Sequence, residues 1–254
     1  MFSVKNALVA AAVTLGAATA AQATIVTVFD GITAGVSSFD STVTGAGGTV
    51  NVDVWNSNFS GTSVDRGDYV ITRNNGGSLS TTSYGTMSGR VVGINPAGGG
   101  FNPRTDPMDY FGSGLTFTFA SAINSIGFEV GDWATCCFQP STDLYISFDG
   151  GAPILVASAT TTAEGRFPSQ SNPASSVYEI FVAAFDDSDE FTSVSFWGNG
   201  IGEYLVMGGQ VRYALLDEGS LPPDPSAIPL PAAGWMLIAG LGGLAALRRR
   251  RKAA

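Results

Sequence analysis

Apolar residues through the middle of this chain recur at every second position, and a period of two commits a segment to half-buried strands. Thr49–Trp55 reads TVNVDVW, with Val50, Val52 and Val54 on one face. Leu115, Phe117 and Phe119 alternate in LTFTF, Ile126, Phe128 and Val130 in SIGFEV, and Leu144, Ile146 and Phe148 in DLYISF. The runs FTSVSFW (191–197) and QVRYALL (210–216) continue the pattern. Roughly eleven such runs are separated by clusters of Gly, Asn, Ser and Asp, which mark turns. No stretch of 24–225 carries a convincing 3.6-residue period, so the middle is expected to be nearly free of helix. Short strands with frequent turns predict two packed antiparallel sheets, an all-β sandwich over 24–220. Uneven strand and loop lengths argue against a closed barrel. The segment GGGFNPRTDPMD (98–109) reads either as a hinge or as the long crossover loop that Greek-key sandwiches need.

Charge narrows the partners. All 21 acidic residues lie in 24–225, against six basic ones, Arg66, Arg73, Arg90, Arg104, Arg166 and Arg212, a net charge of −15 without a single Lys. A field of that sign repels phosphate backbones and anionic headgroups, so nucleic acid is excluded as a natural partner. Neutral polymers and divalent cations remain, and the acidity also keeps an exported domain soluble.

The two ends are targeting segments. Met1–Ala23 has one early Lys, Lys5, then the uncharged stretch ALVAAAVTLGAATA, and closes on Ala21-Gln22-Ala23. That small-x-small pattern is what signal peptidase reads, so residues 1–23 are expected to be a signal peptide and Thr24 the first mature residue. At the other end a Pro-rich linker (221–227) leads to Leu230–Leu247, 18 uncharged residues. A helix of that length roughly matches the hydrocarbon core of a bilayer. Arg248, Arg249, Arg250, Arg251 and Lys252 follow at once and stay cytoplasmic by the positive-inside rule. Both ends thus place the middle domain outside the inner membrane.

The tail 228–254 also carries a resemblance. A short Pro-containing motif, a small-residue-rich helix with Trp235 near its start and a terminal Arg cluster together resemble the PEP-CTERM sorting signal. Ile228, Pro229, Leu230, Pro231 and Ala232 are similar to its VPLPA variant, with Ile228 in place of Val and Leu230 where the parent motif has Glu. The resemblance implies a Gram-negative host that makes exopolysaccharide. It also implies an exosortase that recognises the tail and cuts near the motif. Pro229 and Pro231 keep the motif out of the helix and accessible at the membrane surface. Leu115–Leu216 further resembles the jelly-roll-like ectodomains of such proteins, with Ile126-Gly127-Phe128 in the second strand of an aromatic pair. A late hairpin is expected from Phe185 through DDSDE to Phe191-Thr192-Ser193-Val194. Where that pattern has an Asp before the last strand, this chain has Gly208-Gly209-Gln210, so any role of that Asp is lost.

Little points to catalysis. The chain has no His, which removes Ser–His–Asp and Cys–His arrangements and histidine metal sites. Glu129, Asp132, Glu164 and Glu203 are the carboxylates available for acid–base work of the glycosidase kind, but no local pattern pairs them. Cys136 and Cys137, being adjacent, form a vicinal disulfide, a cross-link to another chain or a reduced pair. A bridge there would stiffen the loop 131–140 and make Asp132 and Trp133 the candidate ligand rim. Asp186, Asp187, Asp189 and Glu190 read as a solvated turn or, as the weaker alternative, a calcium site; no other cofactor is expected. Trp133, Trp197 and Tyr110 offer flat faces for sugar rings or belong to the core. The expected function is a non-catalytic, exosortase-sorted surface or matrix protein associated with exopolysaccharide. The competing readings are a structural or adhesive protein without a ligand and a carboxylate-based glycan hydrolase.

Overall fold

The computed structural model describes residues 24–29, 31–96, 106–135, 141–162, 179–199 and 204–222, which belong to one compact unit. In chain order the first strands are β1 (Ile25–Phe29), β2 (Asn51–Val54), β3 (Ser60–Gly61), β4 (Ser63–Asp65), β5 (Tyr69–Arg73), β6 (Leu79–Thr82) and β7 (Val91–Gly93). The rest are β8 (Leu115–Ile123), β9 (Ser125–Gly131), β10 (Thr142–Phe148), β11 (Ile154–Ala159), β12 (Glu179–Phe185), β13 (Phe191–Gly198) and β14 (Val206–Ala214). A first sheet runs β1-β12-β9-β14-β7-β6-β3, with β2 beside the C-terminal part of β14; a second runs β11-β10-β13-β8-β5-β4. Every pairing is antiparallel. The expected β-sandwich is the architecture found.

From β8 onward the chain steps back and forth between sheets, because β8, β10, β11 and β13 lie in the second and β9, β12 and β14 in the first. The segment between Phe185 and Phe191 therefore joins the two sheets and is not a hairpin, contrary to the expectation from sequence. Apart from the β10–β11 hairpin, strands consecutive in sequence from β8 on lie in opposite sheets across the core. Ile126, Phe128 and Val130 of β9 meet Leu115, Phe117 and Phe196 of the opposite sheet, all at 0% exposure. The Phe128 ring lies 4.8 Å from Phe196, edge to face, and 6.1 Å from Phe117. Each such ring withdraws enough apolar area to contribute about 2–3 kcal/mol.

The expectation of a nearly helix-free domain needs correcting. Ile32–Gly45 forms a 14-residue helix, α1, on the outer face of the first sheet. Its buried residues, Gly35, Phe39 and Val43, recur every four positions, but only two of them are large and apolar, too thin a stripe to stand out among Ser and Thr. Phe39 and Val43 pack with Phe181, Ala183 and Phe185 in a second, smaller core. Gly35 sits so close to β12 that a Cβ there would lie 2.3 Å from that of Phe181. With a core on each side, β9 is buried at all seven positions.

One strand face is also reversed. The valines at the start of β2 point away from the main core: Val52 is 47% exposed, and Val50, just before the strand, packs against the helix layer. Trp55 and Asp53 take the inner side instead. Trp55 Nε1 donates to Tyr69 Oη (2.9 Å), which donates to Asp53 Oδ2 (2.7 Å). Arg66 closes the group with two bonds to the same carboxylate, at 2.8 and 2.7 Å. Among the described residues no helix is long and apolar enough to cross a membrane. The expected signal peptide, the span 230–247 and the sorting residues all lie outside them.

Candidate functional site

The site is assembled on the outer face of the first sheet, beyond the end of α1. At its centre is Glu129 of β9, fully buried. A buried carboxylate demands donors, and it has them. Ser88 N–H donates to Oε2 (2.8 Å) and Gln210 Nε2 to Oε1 (2.6 Å). Arg212 Nε donates to Gln210 Oε1 (3.1 Å) and so fixes which way that amide faces. Arg212 itself pairs with Asp40 of α1 at 2.5 Å. Burial pushes the Glu129 pKa up, the Ser88 and Gln210 donors oppose the rise, and the nearby Glu179 charge adds to it.

Room for this carboxylate is made by β14. The strand bulges between Gly208 and Val211, where it pairs with β9, and Gly209 adopts φ +66°. A Cβ at Gly209 would lie 2.1 Å from Glu129 Oε2. The Gly208-Gly209-Gln210 segment is therefore the seat of Glu129, a role the sequence comparison with sorted ectodomains missed because it looked there only for an Asp.

The loop Ser83–Arg90 covers Glu129 and is clipped to the sheet by three carboxylates. Besides Glu129, Glu179 of β12 accepts from Thr86 N–H (2.5 Å) and from the Thr86 hydroxyl. Asp132 accepts from Tyr84 Oη (2.7 Å) on one oxygen and from Tyr204 N–H (2.6 Å) on the other. That last carboxylate sits at φ +61°, a conformation Asp tolerates better than most residues. It brings Tyr84 and Tyr204 side by side, ring centroids 6.1 Å apart and planes tilted by 30°. Tyr204 is 50% exposed. Next to the pair the loop encloses a shallow hollow of about 250 Å³, bounded by Trp55, Asn56, Ser83, Tyr84, Ser88 and Arg90. Tyr84 joins the two features, since its hydroxyl donates to Asp132 and its side chain borders the hollow.

The expected site residues divide accordingly. Asp132 is partly exposed, but Trp133 is 1% exposed, in the main core, and cannot line a rim. Two left-handed residues on either side of Trp133, Asp132 and Ala134, turn the chain so that the carboxylate faces out and the indole in. Trp197 is fully buried, with Nε1 donating to Pro107 O (2.8 Å) and Tyr145 stacked on it, and Tyr110 is buried as well. None of the three aromatics singled out from sequence is a platform. Glu129 and Asp132 are brought near one loop, but Glu129 is covered and both its oxygens accept bonds. Glu164, Glu203, Cys136 and Cys137 lie outside the described residues.

The acidic run is a closed turn. Asp186 Oδ1 accepts from Ser188 N–H and Asp189 N–H (both 3.1 Å), and its other oxygen from Thr24 Oγ1 (2.6 Å). Asp187 is 3% exposed and accepts from Leu221 N–H (2.6 Å), while Asp189 accepts from Glu190 N–H (2.9 Å). These carboxylates serve separate local bonds, and among the described residues no three acidic side chains converge as metal ligands.

No protein-family model matches the sequence, and no curated protein matches it. Among solved structures, a family 29 carbohydrate-binding module aligns over 72% of this chain and 98% of its own, at 10% identity and a TM-score of 0.27. A single-residue mutant of a family 29 module, titled as a probe of ligand recognition, aligns over 70% and 99%, at 9% identity and a TM-score of 0.27. Likenesses this distant decide neither fold nor ligand.

Proposed function

We propose that this chain is an exported, non-catalytic surface or matrix protein whose sandwich holds a glycan at the Tyr84–Tyr204–Asp132 rim. The observation that carries the reading is the half-exposed Tyr204 ring set beside Tyr84 by a single carboxylate. Tyrosine combines a flat apolar face with a polar tip, which suits the C–H face and hydroxyls of a sugar. Asp132 keeps acceptor capacity after taking two donors. The strand order β7-β14-β9-β12 facing β8-β13-β10-β11 is that of a jelly roll, in keeping with the ectodomain resemblance of Leu115–Leu216.

The same proposal covers processing. Signal peptidase removes residues 1–23, and the sorting tail holds the protein in the inner membrane, facing the periplasm, until an exosortase cuts near Ile228–Ala232. Exopolysaccharide is the natural glycan partner for a protein released this way. A glycan array on the exported domain tests the ligand reading. Wild type should bind at least one polysaccharide, and Tyr204→Ala should lose about tenfold or more in affinity while melting at the wild-type temperature. Base-type stacking losses of about 1–3 kcal/mol per ring set that scale. A domain that binds no glycan, or a Tyr204→Ala variant that binds as wild type does, sinks it.

A further inference from the structure

We infer that Asp186 is the seat of the mature N-terminus: removal of the signal peptide leaves an ammonium on Thr24, and this carboxylate binds it. The inference rests on the processing reading above, in which Thr24 is the first mature residue, and adds what that cut does to the sandwich.

Both ends of the sandwich close on one turn. Thr24, leading into β1, donates its hydroxyl to Asp186 Oδ2 at 2.6 Å. At the other end Leu221 N–H donates to Asp187 Oδ2 (2.6 Å) and Gly219 N–H to Asp187 O (3.2 Å). Asp186 is itself firmly held. Its N–H donates to the carbonyl of buried Asn124 (2.8 Å), and its Oδ1 accepts from Ser188 N–H and Asp189 N–H. Among the described residues Oδ2 takes only the Thr24 hydroxyl, and a carboxylate oxygen with two lone pairs keeps room for another donor. The Thr24 α-nitrogen sits one carbon further along the same residue. It therefore lies within about 6 Å of this carboxylate, inside the screening length of about 8 Å at physiological salt.

Within a peptide that nitrogen is neutral and has a single N–H. Hydrolysis of the Ala23–Thr24 bond adds water across it, leaving a carboxylate on Ala23 and an ammonium with three donors on Thr24. The surroundings favour the cation. The turn also carries Asp187, Asp189 and Glu190, and the segment bonded to it carries Asp217 and Glu218. Helix α1, packed on β1, brings Asp40, already paired with Arg212. Strand β11 beside β1 has no charged residue, and β12 has only Glu179 at its far end, bonded to Thr86. Among the described residues no Lys or Arg pairs with a carboxylate of the turn. An amine bound there holds its proton more tightly than in the unfolded chain. Its stabilisation is therefore complete below the unfolded pKa of about 7.7–8.0 and disappears as pH rises through the higher folded value. The lock closes at neutral pH and opens in alkali.

The test uses the full mature chain, Thr24–Ala254, in detergent micelles. Its two amines are the Thr24 α-nitrogen and Lys252 Nζ, so reductive methylation with carbon-13 gives two signals to follow by NMR. Dimethylation keeps the charge and one N–H. The Thr24 amine should titrate about half a pH unit or more higher in the folded chain than in the same chain in urea. Asp186→Asn keeps an acceptor for the Thr24 hydroxyl and for the turn, yet should remove at least half of that difference. Wild type should also lose melting temperature relative to Asp186→Asn between pH 7 and about pH 10, which a hydroxyl bond alone would not produce. A Thr24 amine that titrates alike folded and in urea, or a shift undiminished in Asp186→Asn, overturns the inference and leaves the cleavage reading standing. Terminal sequencing of exported protein that finds another first residue removes the cleavage reading and this one with it. The folded-against-urea comparison on wild type stands even where the variant fails to fold.

Discussion

At the scale of single residues the site depends on positions with no side chain. Gly209 at φ +66° would cost about 1–2 kcal/mol with any Cβ, from backbone strain alone. Its Cβ would also push Glu129 off the donors that make its burial tolerable, adding about 1–3 kcal/mol. Gly209→Ala should therefore lower the melting temperature by roughly 4–20 °C, at about 2–4 °C per kcal/mol for a domain of this size. A calorimetric melt within a degree of wild type would show that the bulge adapts freely. Sequence reading marked this Gly-Gly-Gln segment, but only as a place where something was missing. Asp132 was singled out in the sequence. Its partners were not, because Tyr84 and Tyr204 lie far from it in sequence and no local pattern joins them.

At the scale of elements, strands were legible and the helix was not. LTFTF, SIGFEV and DLYISF form β8, β9 and β10, since a period of two survives wherever one face meets the main core. Helix α1 escaped because its apolar stripe holds little beyond Phe39 and Val43, and its stability comes from docking on β12 rather than from propensity. Phe39→Ala should then cost about 3–5 kcal/mol by chemical denaturation, while the strand signal in circular dichroism persists until unfolding. A cost under about 1 kcal/mol would mean that the helix is not part of the cooperative unit. In β2 the valine alternation pointed the wrong way because Trp55 and the Asp53–Arg66–Tyr69 group outweigh three valines. Burial works against ionisation of Asp53, but the Arg66, Tyr69 and Trp55 donors outweigh it and hold its pKa below the usual value. A depressed carboxylate stabilises the fold above its unfolded pKa of about 3.9, and the gain is lost as pH falls through the folded value. Wild type should melt higher than Asp53→Asn at pH 7, with the difference shrinking below about pH 4. An equal difference at pH 7 and pH 3 would assign the effect to packing rather than charge.

At the scale of the whole molecule, a basic tail is set against an acidic body. If the tail spans the membrane as proposed, the 18 uncharged residues of Leu230–Leu247 would resist extraction from the bilayer, and four Arg with one Lys beyond them would resist crossing it. On the sorting reading proposed above, release of the sandwich would require a cut on the outer side, near Ile228–Ala232, and the released protein would leave its five terminal basic residues behind. On the sorting reading Pro229 and Pro231 would keep that stretch out of the helix, since neither fits a helix interior without losing a backbone bond and clashing with the preceding turn, at about 3 kcal/mol. With both replaced by Ala, the proposed helix would grow outward through the motif and bury its backbone in helical bonds, hidden from a protease-like enzyme. In a host that has an exosortase, wild type should appear outside the cell as a shorter form, and the double Pro→Ala variant should accumulate at full length in the inner membrane. Deleting Arg248–Lys252 should act differently, scattering topology and lowering membrane retention without protecting the motif. A plain membrane anchor expects none of this: full-length wild type at the membrane and no response to the prolines. Fractionation followed by intact-mass measurement separates the two. Wild type that keeps its tail in such a host would remove the sorting reading, whatever the sandwich binds.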